Sequence, residues 1–294
     1  MTNLSFQPFL SFLRSACAIL ALAFTIFAFD AHAEKLVVLN SDNNNSNYAK
    51  GLLRLILPKT GHDYEIDPSA ENSTTARVVE ELNSGQLDIC WFATSPDNET
   101  NMLPIRFPLY RGLLGFRVLM IHRGDQSKFD NINTLDDLKR VTLGQGFDWP
   151  DTQILEANGL NVVKVTKYDN IFYMLDGGRF DAFPRGVQEP WAEIESRPDL
   201  ELTVEKHLLL SYTSPYYFFV QKNNRALAAT LEKGLRAALA DGSFAHYFFN
   251  DPTVKDVLQK ANLKSRHIIN LRNPLLPENT PVDDKQLWLD PLSL

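Results

Sequence analysis

Tyr173-Met174-Leu175-Asp176-Gly177-Gly178-Arg179-Phe180-Asp181-Ala182-Phe183-Pro184-Arg185 reads as a helix end, a glycine stop and a short buried strand. Glycine at a helix C-terminus adopts the left-handed conformation that caps the last carbonyls. Phe180, Ala182 and Phe183 supply a short apolar strand. Pro184 has no N–H to donate, so the ladder is expected to stop there. The same grammar occurs earlier. In Glu81-Leu82-Asn83-Ser84-Gly85-Gln86-Leu87-Asp88-Ile89-Cys90, Leu82 answers Leu175, Gly85 answers Gly178 and Asp88 answers Asp181. Two copies roughly a domain apart point to two similar α/β lobes, although this helix-to-strand turn also recurs by chance.

The regions around these copies fill in the pattern. Lys35–Asn40, Tyr64–Ile66 and Leu87–Phe92 read as strands, separated by helices from Tyr48 to Leu57 and from Thr74 or Thr75 to Asn83. Such a β-α-β-α-β series builds a parallel sheet with helices on its faces. A long apolar stretch, Leu113–His122, leads into a second series. Its strands are Val141–Gln145, Val162–Thr166, Phe180–Pro184 and Leu200–Val204. Its helices are Leu135–Arg140, Pro150–Asn158, Asn170–Gly177 and Glu189–Glu195. Tyr212–Lys222 returns to the first series, and its run Tyr216–Val220 is apolar enough for a strand buried on both faces. Arg225–Asp241 carries the clearest apolar stripe, with Gly242 as its stop. The proline-punctuated tail Asn273–Leu294 reads as an extended strap anchored by Trp288. The expected division is residues 34–121 with 212–294 in one discontinuous lobe and 122–211 in an inserted second lobe. Two chain crossings then form the hinge.

The chain has 294 residues, 44% hydrophobic and 22% charged, with a net charge of -7. That supports two packed cores and argues against a nucleic-acid partner, since no Lys/Arg cluster offsets the acidity. Arg14, the apolar run Ala16–Phe29 and Ala31-His32-Ala33 read as a secretory signal cleaved after Ala33, an uncleaved anchor being the alternative. Cys17 falls within that segment. Cys90, in an apolar strand beside Trp91, reads as a buried structural thiol. The remaining histidines have no metal-ligand spacing, and no nucleophile-elbow or zinc-protease motif occurs. Gly144-Gln145-Gly146 lacks the third glycine of a dinucleotide fingerprint. No metal or cofactor is expected, and a non-catalytic role is the expectation, with an enzyme on the same fold as the less favoured alternative.

In open α/β sheets ligands bind beyond the carboxyl ends of the strands. Asn40, Ser41 and Asn44 follow the first strand, and Thr94 and Ser95 follow the third. In the second lobe Gln145, Asp148, Trp149 and Thr152 follow a strand and open a helix. The two aspartates there are N-caps, or groups that favour a cationic or hydroxylated ligand. Trp149 and Tyr168 stack on a ligand or pack in the core. Arg185, at the end of the quoted stretch, is a candidate to take a carboxylate or phosphate bidentately, or else a solvated surface residue. Tyr110 and Arg111 are further candidates.

The order and spacing of these motifs resemble the periplasmic solute-binding proteins of family 3. The residues carrying the likeness are Leu82-x-x-Gly-x-Leu-Asp-Ile, Phe107-Pro108-Leu109-Tyr110, Leu138-x-x-Val-x-Leu-Gly, Gly178-Arg179-Phe180-Asp181-Ala182 and Asp241-Gly242-Ser243-Phe244. The resemblance implies a two-lobe type II fold with a ligand cleft between the lobes. It also implies a monomer that delivers a small polar solute to a membrane ABC permease, or is read by a signalling receptor. Two departures bear on the ligand. Amino-acid binders of the family usually carry an Arg after the third strand, where this chain has Ser95-Pro96-Asp97-Asn98-Glu99. They also usually carry an Asp shortly after the Asp-Ala pair, where this chain has Pro184-Arg185-Gly186. A zwitterion closed between such lobes would leave its charges unpaired.

Overall fold

The computed structural model describes residues 34–40, 44–69 and 75–293. The expected signal segment and Ser41 lie outside the described residues. The first series is β1 (Glu34–Val38), α1 (Asn44–Ile56), β2 (Tyr64–Pro68), α2 (Thr75–Ser84), β3 (Cys90–Ala93), α3 (Pro96–Asn101) and β4 (Met102–Ile105). The second begins with β5 (Phe116–His122), α4 (Leu135–Leu138), β6 (Thr142–Gly146), α5 (Pro150–Ala157) and β7 (Asn161–Val165). It continues through α6 (Tyr168–Asp176), β8 (Ala182–Gly186), α7 (Pro190–Glu195), β9 (Leu202–Val204) and β10 (Leu208–Ser211). The chain then returns through β11 (Tyr216–Gln221), α8 (Arg225–Ala240), α9 (Ser243–Asn250), α10 (Pro252–Ala261) and β12 (His267–Asn270).

The two halves share one strand order. Through the parallel bridge of Val38 to Ile89, the first half runs β2-β1-β3-β11-β4. The larger sheet runs β7-β6-β8-β5-β10, followed by β12, with β9 also pairing β5. In each, the first strand lies between the second and third, and a strand from the other end of the chain enters antiparallel. Both sheets are therefore mixed.

The repeated sequence motif occupies the same place in both. Gly85 and Gly178 take φ of 76° and 66°, the left-handed conformation that glycine adopts at little cost. After each, an aspartate clasps the lobe's first strand, near its end in β1 and at its start in β6. Asp88 accepts the Val37 N–H at 2.7 Å and its own N–H donates to Val37 O. Asp181 accepts from the N–H and hydroxyl of Thr142, and its N–H donates to Thr142 O.

Three expectations are corrected. Pro184 does not end its strand: β8 continues through Arg185 and Gly186, with Leu119 opposite Pro184 on β5. The carbonyl of Pro184 faces β6 and accepts from the Gln145 side chain, so the missing N–H also points away from β5. The ladder to β6 is confined to Leu143 opposite Ala182, and proline costs nothing on that edge. Leu208–Ser211, which the sequence did not mark, is the strand β10. The strand His267–Asn270, counted by sequence with the first lobe, pairs in parallel with β10 in the larger sheet. Leu208, Leu209 and Leu210 are fully buried, and β12 satisfies the backbone groups along their outer edge.

Side chains alternate across the larger sheet as a strand requires. Leu119 and Ile121 of β5 join one apolar cluster with Leu143 and Leu155, while Met120 joins another with Phe172 and Phe183. A third cluster, built around Leu52, Trp91, Phe218 and Leu235, forms the core of the other lobe. Cys90 is buried in it, 3.7 Å from the Met102 sulfur, and burial raises its thiol pKa. The tail forms the expected strap. Trp288 packs against Gly112, its indole N–H donates to Pro281 O, and Leu289 N–H donates to Arg111 O.

The two crossings between the lobes touch at Gly115 and Tyr212, where Tyr212 N–H donates to Gly115 O. A Cβ on Gly115 would stand 2.1 Å from the Tyr212 carbonyl oxygen. Gly115→Ala must therefore force the crossings apart. It is expected to cost about 2 kcal/mol or more in urea unfolding, the scale of an overpacked site that cannot relax. An unchanged midpoint would show that the crossings have slack.

Candidate functional site

Beyond the carboxyl end of β6 the chain turns sharply into α5. Thr152 closes this turn by donating its hydroxyl to Gly146 O at 2.6 Å, and Pro150 takes the first helical turn. Trp149 lies so close over Gly146 that a Cβ there would meet the indole at 2.4 Å. Gln145, 1% exposed, donates to Pro184 O, and its own carbonyl accepts the Gly146 N–H. Gln145 and Thr152 thus hold the turn. Asp148 is exposed at its tip.

The ring of Trp149 stacks on Phe183 at 6.2 Å and leans on Tyr168 at 6.1 Å. Arg185 sits among these rings, its guanidinium carbon 4.8 Å from Phe183 and 5.3 Å from Trp149. Such placement favours a cation, because ring faces are negative. Two carboxylates from the start of the next helix complete the surroundings. Glu193 takes the Nε and Nη2 donors of Arg185, and Glu189 lies 3.0 Å from Nη2. Tyr168 donates its hydroxyl to Glu193 as well. Glu189 also accepts the Gly186 N–H at 2.6 Å. The edge of Arg185 suited to a ligand anion is therefore turned to Glu193.

A second, partly buried arginine has the same arrangement. Arg117 of β5 donates Nε to Asp151 at 2.7 Å and Nη1 to Leu114 O, with the Tyr212 ring 4.8 Å away. The Tyr212 hydroxyl donates to the same Asp151 oxygen. Asp151 is thus a structural anchor that ties the start of α5 to the hinge. Burial works against its carboxylate, but the charge and hydrogen bonds of Arg117 and Tyr212 outweigh that and hold its pKa below the usual range. Burial raises Glu189 above its usual range despite both arginines. Two guanidinium groups, Arg117 and Arg185, face three carboxylates, Asp151, Glu189 and Glu193, an excess of one acid, while Arg197 over the Tyr168 ring is paired with Asp169.

The other lobe presents a plainer edge. Asn40 accepts from Lys50 Nζ at 3.0 Å. Thr94 donates its hydroxyl to Glu99, while its N–H donates to Pro215 O on the second crossing. Ser95 caps α3 by accepting the Asn98 N–H. Asn44 opens α1. Tyr110 is buried, stacked 4.1 Å from Tyr48, with its hydroxyl donating to Asn45. Arg111 lies apart from this group, against the strap, within reach of the Gln286 and Trp288 carbonyls. The structure thus brings Gln145, Trp149, Thr152, Tyr168 and Arg185 together and separates Arg111 from them. Sequence reading missed Glu189, Glu193, Arg117 and Tyr212. The carboxylates four and eight places after Arg185 were the available signal.

Asp151→Asn removes the charge that compensates the partly buried Arg117. It should cost about 3–5 kcal/mol in urea unfolding at pH 7, the scale for breaking a buried pair. Asp151 is depressed in the folded state, so its contribution is present above the unfolded carboxyl value near 4. It is lost as pH falls through the lower folded value. The difference between variant and parent should therefore shrink on the acid side. A difference equally large at pH 2 and pH 7 would contradict the ion-pair account.

The chain as a sequence matches no protein family, and no curated protein matches it. Solved structures do resemble it. The YckB protein of Bacillus subtilis has TM-score 0.53 and 17% identity, over 76% of this chain and 92% of that one. The BvgS VFT2 domain of Bordetella pertussis, as a double mutant, has TM-score 0.53 and 16% identity, over 74% of this chain and 93% of that one. The second substrate binding domain of a Streptococcus pneumoniae protein, designated an amino acid ABC transporter, has TM-score 0.52 and 15% identity. That match covers 74% of this chain and 99% of the domain. About a quarter of the present chain lies outside each match. Identities this low establish architecture alone, and the architecture is the two-lobe type II fold of the periplasmic binding proteins.

Proposed function

We propose that this protein is a secreted, non-catalytic solute-binding protein that closes its lobes on a small cationic or hydroxyl-rich solute and presents it to a membrane ABC permease. The observation carrying the ligand class is the charge at the β6 and β8 edge. Both arginines there are matched by internal carboxylates, and the excess is negative. Asp148, exposed beside that network, adds a second anion. A solute carboxylate would meet repulsion, whereas an ammonium or hydroxyl donor would find acceptors in Glu189 and Asp148 and a stacking surface in Trp149 and Tyr168. The neighbour designated an amino acid transporter domain supports solute binding as the role of the cleft. The small hydrogen-bonding groups Asn40, Thr94 and Ser95 supply the opposite wall. Ligand must favour the closed arrangement, since a solute binding both states equally drives no closure.

Residues 34–294 should be melted with diamines, polyamines, amino acids, sugars, polyols and dicarboxylates in turn. An amine or polyol is expected to raise the melting temperature. At a hundredfold excess over Kd the stabilisation is about 2.7 kcal/mol. Asp148→Asn and Glu189→Gln should each weaken that shift, and Asp148→Asn should leave the unliganded melting temperature unchanged. Stabilisation by a dicarboxylate but by no amine or polyol would reverse the assignment. A permease and an ATPase encoded beside the gene would support delivery, and a signalling receptor in their place would redirect it.

A further inference from the structure

A cavity of about 450 Å³ lies where the two crossings meet the C-terminal strap. Phe116 and Tyr212 wall it from the crossings, Ile268 from β12, and Trp288 and Leu292 from the strap. This is within the range of small-molecule sites, which pair apolar walls with a few placed polar groups. Leu292 is 54% exposed and Val282, also on its wall, 47% exposed, so apolar side chains stand at the mouth beside exposed Asn270 and Asp290.

Arg111 supplies the charge. Its φ of 52° is the left-handed conformation, which a long side chain seldom adopts. The strap fixes it there through the Leu289 N–H on its carbonyl at 2.7 Å. Its Nε is buried without a hydrogen-bond partner. Its Nη2 reaches only to backbone carbonyls, at 3.4 and 3.5 Å. The rings of Phe248 and Phe249 stand 5.8 Å off, at the outer range of cation–π attraction. Among the described residues no carboxylate forms an ion pair with it, unlike Arg117 and Arg185. Asp290 lines the same cavity, but one of its oxygens is held by the Leu292 N–H. Burial lowers the pKa of Arg111, the mark of a guanidinium short of compensating charge.

We propose that this cavity is a second ligand site, apart from the β6 and β8 edge, that takes a small carboxylate with an apolar body. The carboxylate sits on Arg111, and the body lies against Trp288, Ile268 and Leu292. The geometry combines an unanswered, partly dehydrated cation with an apolar chamber open to solvent. A carboxylate satisfies the first and a hydrocarbon fills the second.

Calorimetric titration of residues 34–294 with sodium octanoate tests this, with octan-1-ol and sodium acetate as controls. Octanoate is expected to bind saturably at one site, at least tenfold more tightly than the alcohol, with no saturable binding of acetate. Arg111→Met keeps the straight apolar stem and removes the charge. It should weaken octanoate at least tenfold and leave the alcohol unchanged. Leu292→Trp alters an exposed rim residue, fills the chamber and should weaken both. If Arg111→Met does not fold, Leu292→Trp decides alone. Absence of saturable octanoate binding overturns the proposal, as does octanoate binding left unaltered by either folded variant.

Discussion

Each lobe is organised around one carboxylate clasp. Asp88 and Asp181 sit at the entrance to the third strand of their lobes and bind the backbone of the first, Asp88 near the end of β1 and Asp181 at the start of β6. A hydrogen bond to a charged acceptor contributes about 1.5–3 kcal/mol, and here it fixes strand order and register at one point. In the larger lobe the entering ends of β6 and β8 are tied, so their leaving ends emerge side by side, while in the other lobe Asp88 ties the end of β1 to the approach to β3. The leaving ends carry Thr94 and Ser95 in one lobe and the Gly146 turn and Arg185 in the other. The candidate site thus lies at the ends of strands whose order these two aspartates help fix.

The electrostatics of the larger lobe follow from how its arginines are partnered. Arg117 and Arg185 each lie against aromatic rings and each meet a carboxylate from the first turn or two of a neighbouring helix. Removing either cation from water is costly unless it is paired, so the carboxylates are a requirement of burial. One carboxylate is then left in excess within this network. This inverts the arrangement that the family resemblance implies, in which an arginine in the other lobe clamps a ligand carboxylate. Here Arg106, on that side, is paired with Glu99, and Glu99 also receives the Thr94 hydroxyl.

Much of the architecture was legible because it is written in local signals. The Leu-x-x-Gly-x-apolar-Asp repeat carries the helix stop, the left-handed glycine and the clasp within seven residues. Thr134 caps the helix that follows it, and Asp137 completes a capping box there. What escaped was set by partners distant in sequence. Pro184 continues a strand because only one of its edges is fully paired, and that depends on where β6 diverges. Leu208–Ser211 is too short to announce itself and becomes a strand because Phe116 and His267 flank it. In the site, Arg185 appeared as a free cation because its rings and carboxylates were read as separate features. Arg117 and Asp151 lie thirty-odd places apart and meet only through the crossing of β5 past α5.

The placement of β12 has a consequence for how the molecule is made. The outer edge of β10 is supplied by residues 267–270, close to the end of the chain. Until those residues arrive, Leu208–Leu210 present bare amides and carbonyls along a leucine-rich border, the kind of template that recruits other chains. The inserted lobe is thus finished last by a piece of polypeptide that must first pass through the other lobe. A chain truncated before His267 would keep both clasps and still lack the strand that seals its larger sheet, so a nascent or clipped chain exposes an edge that the full-length one covers.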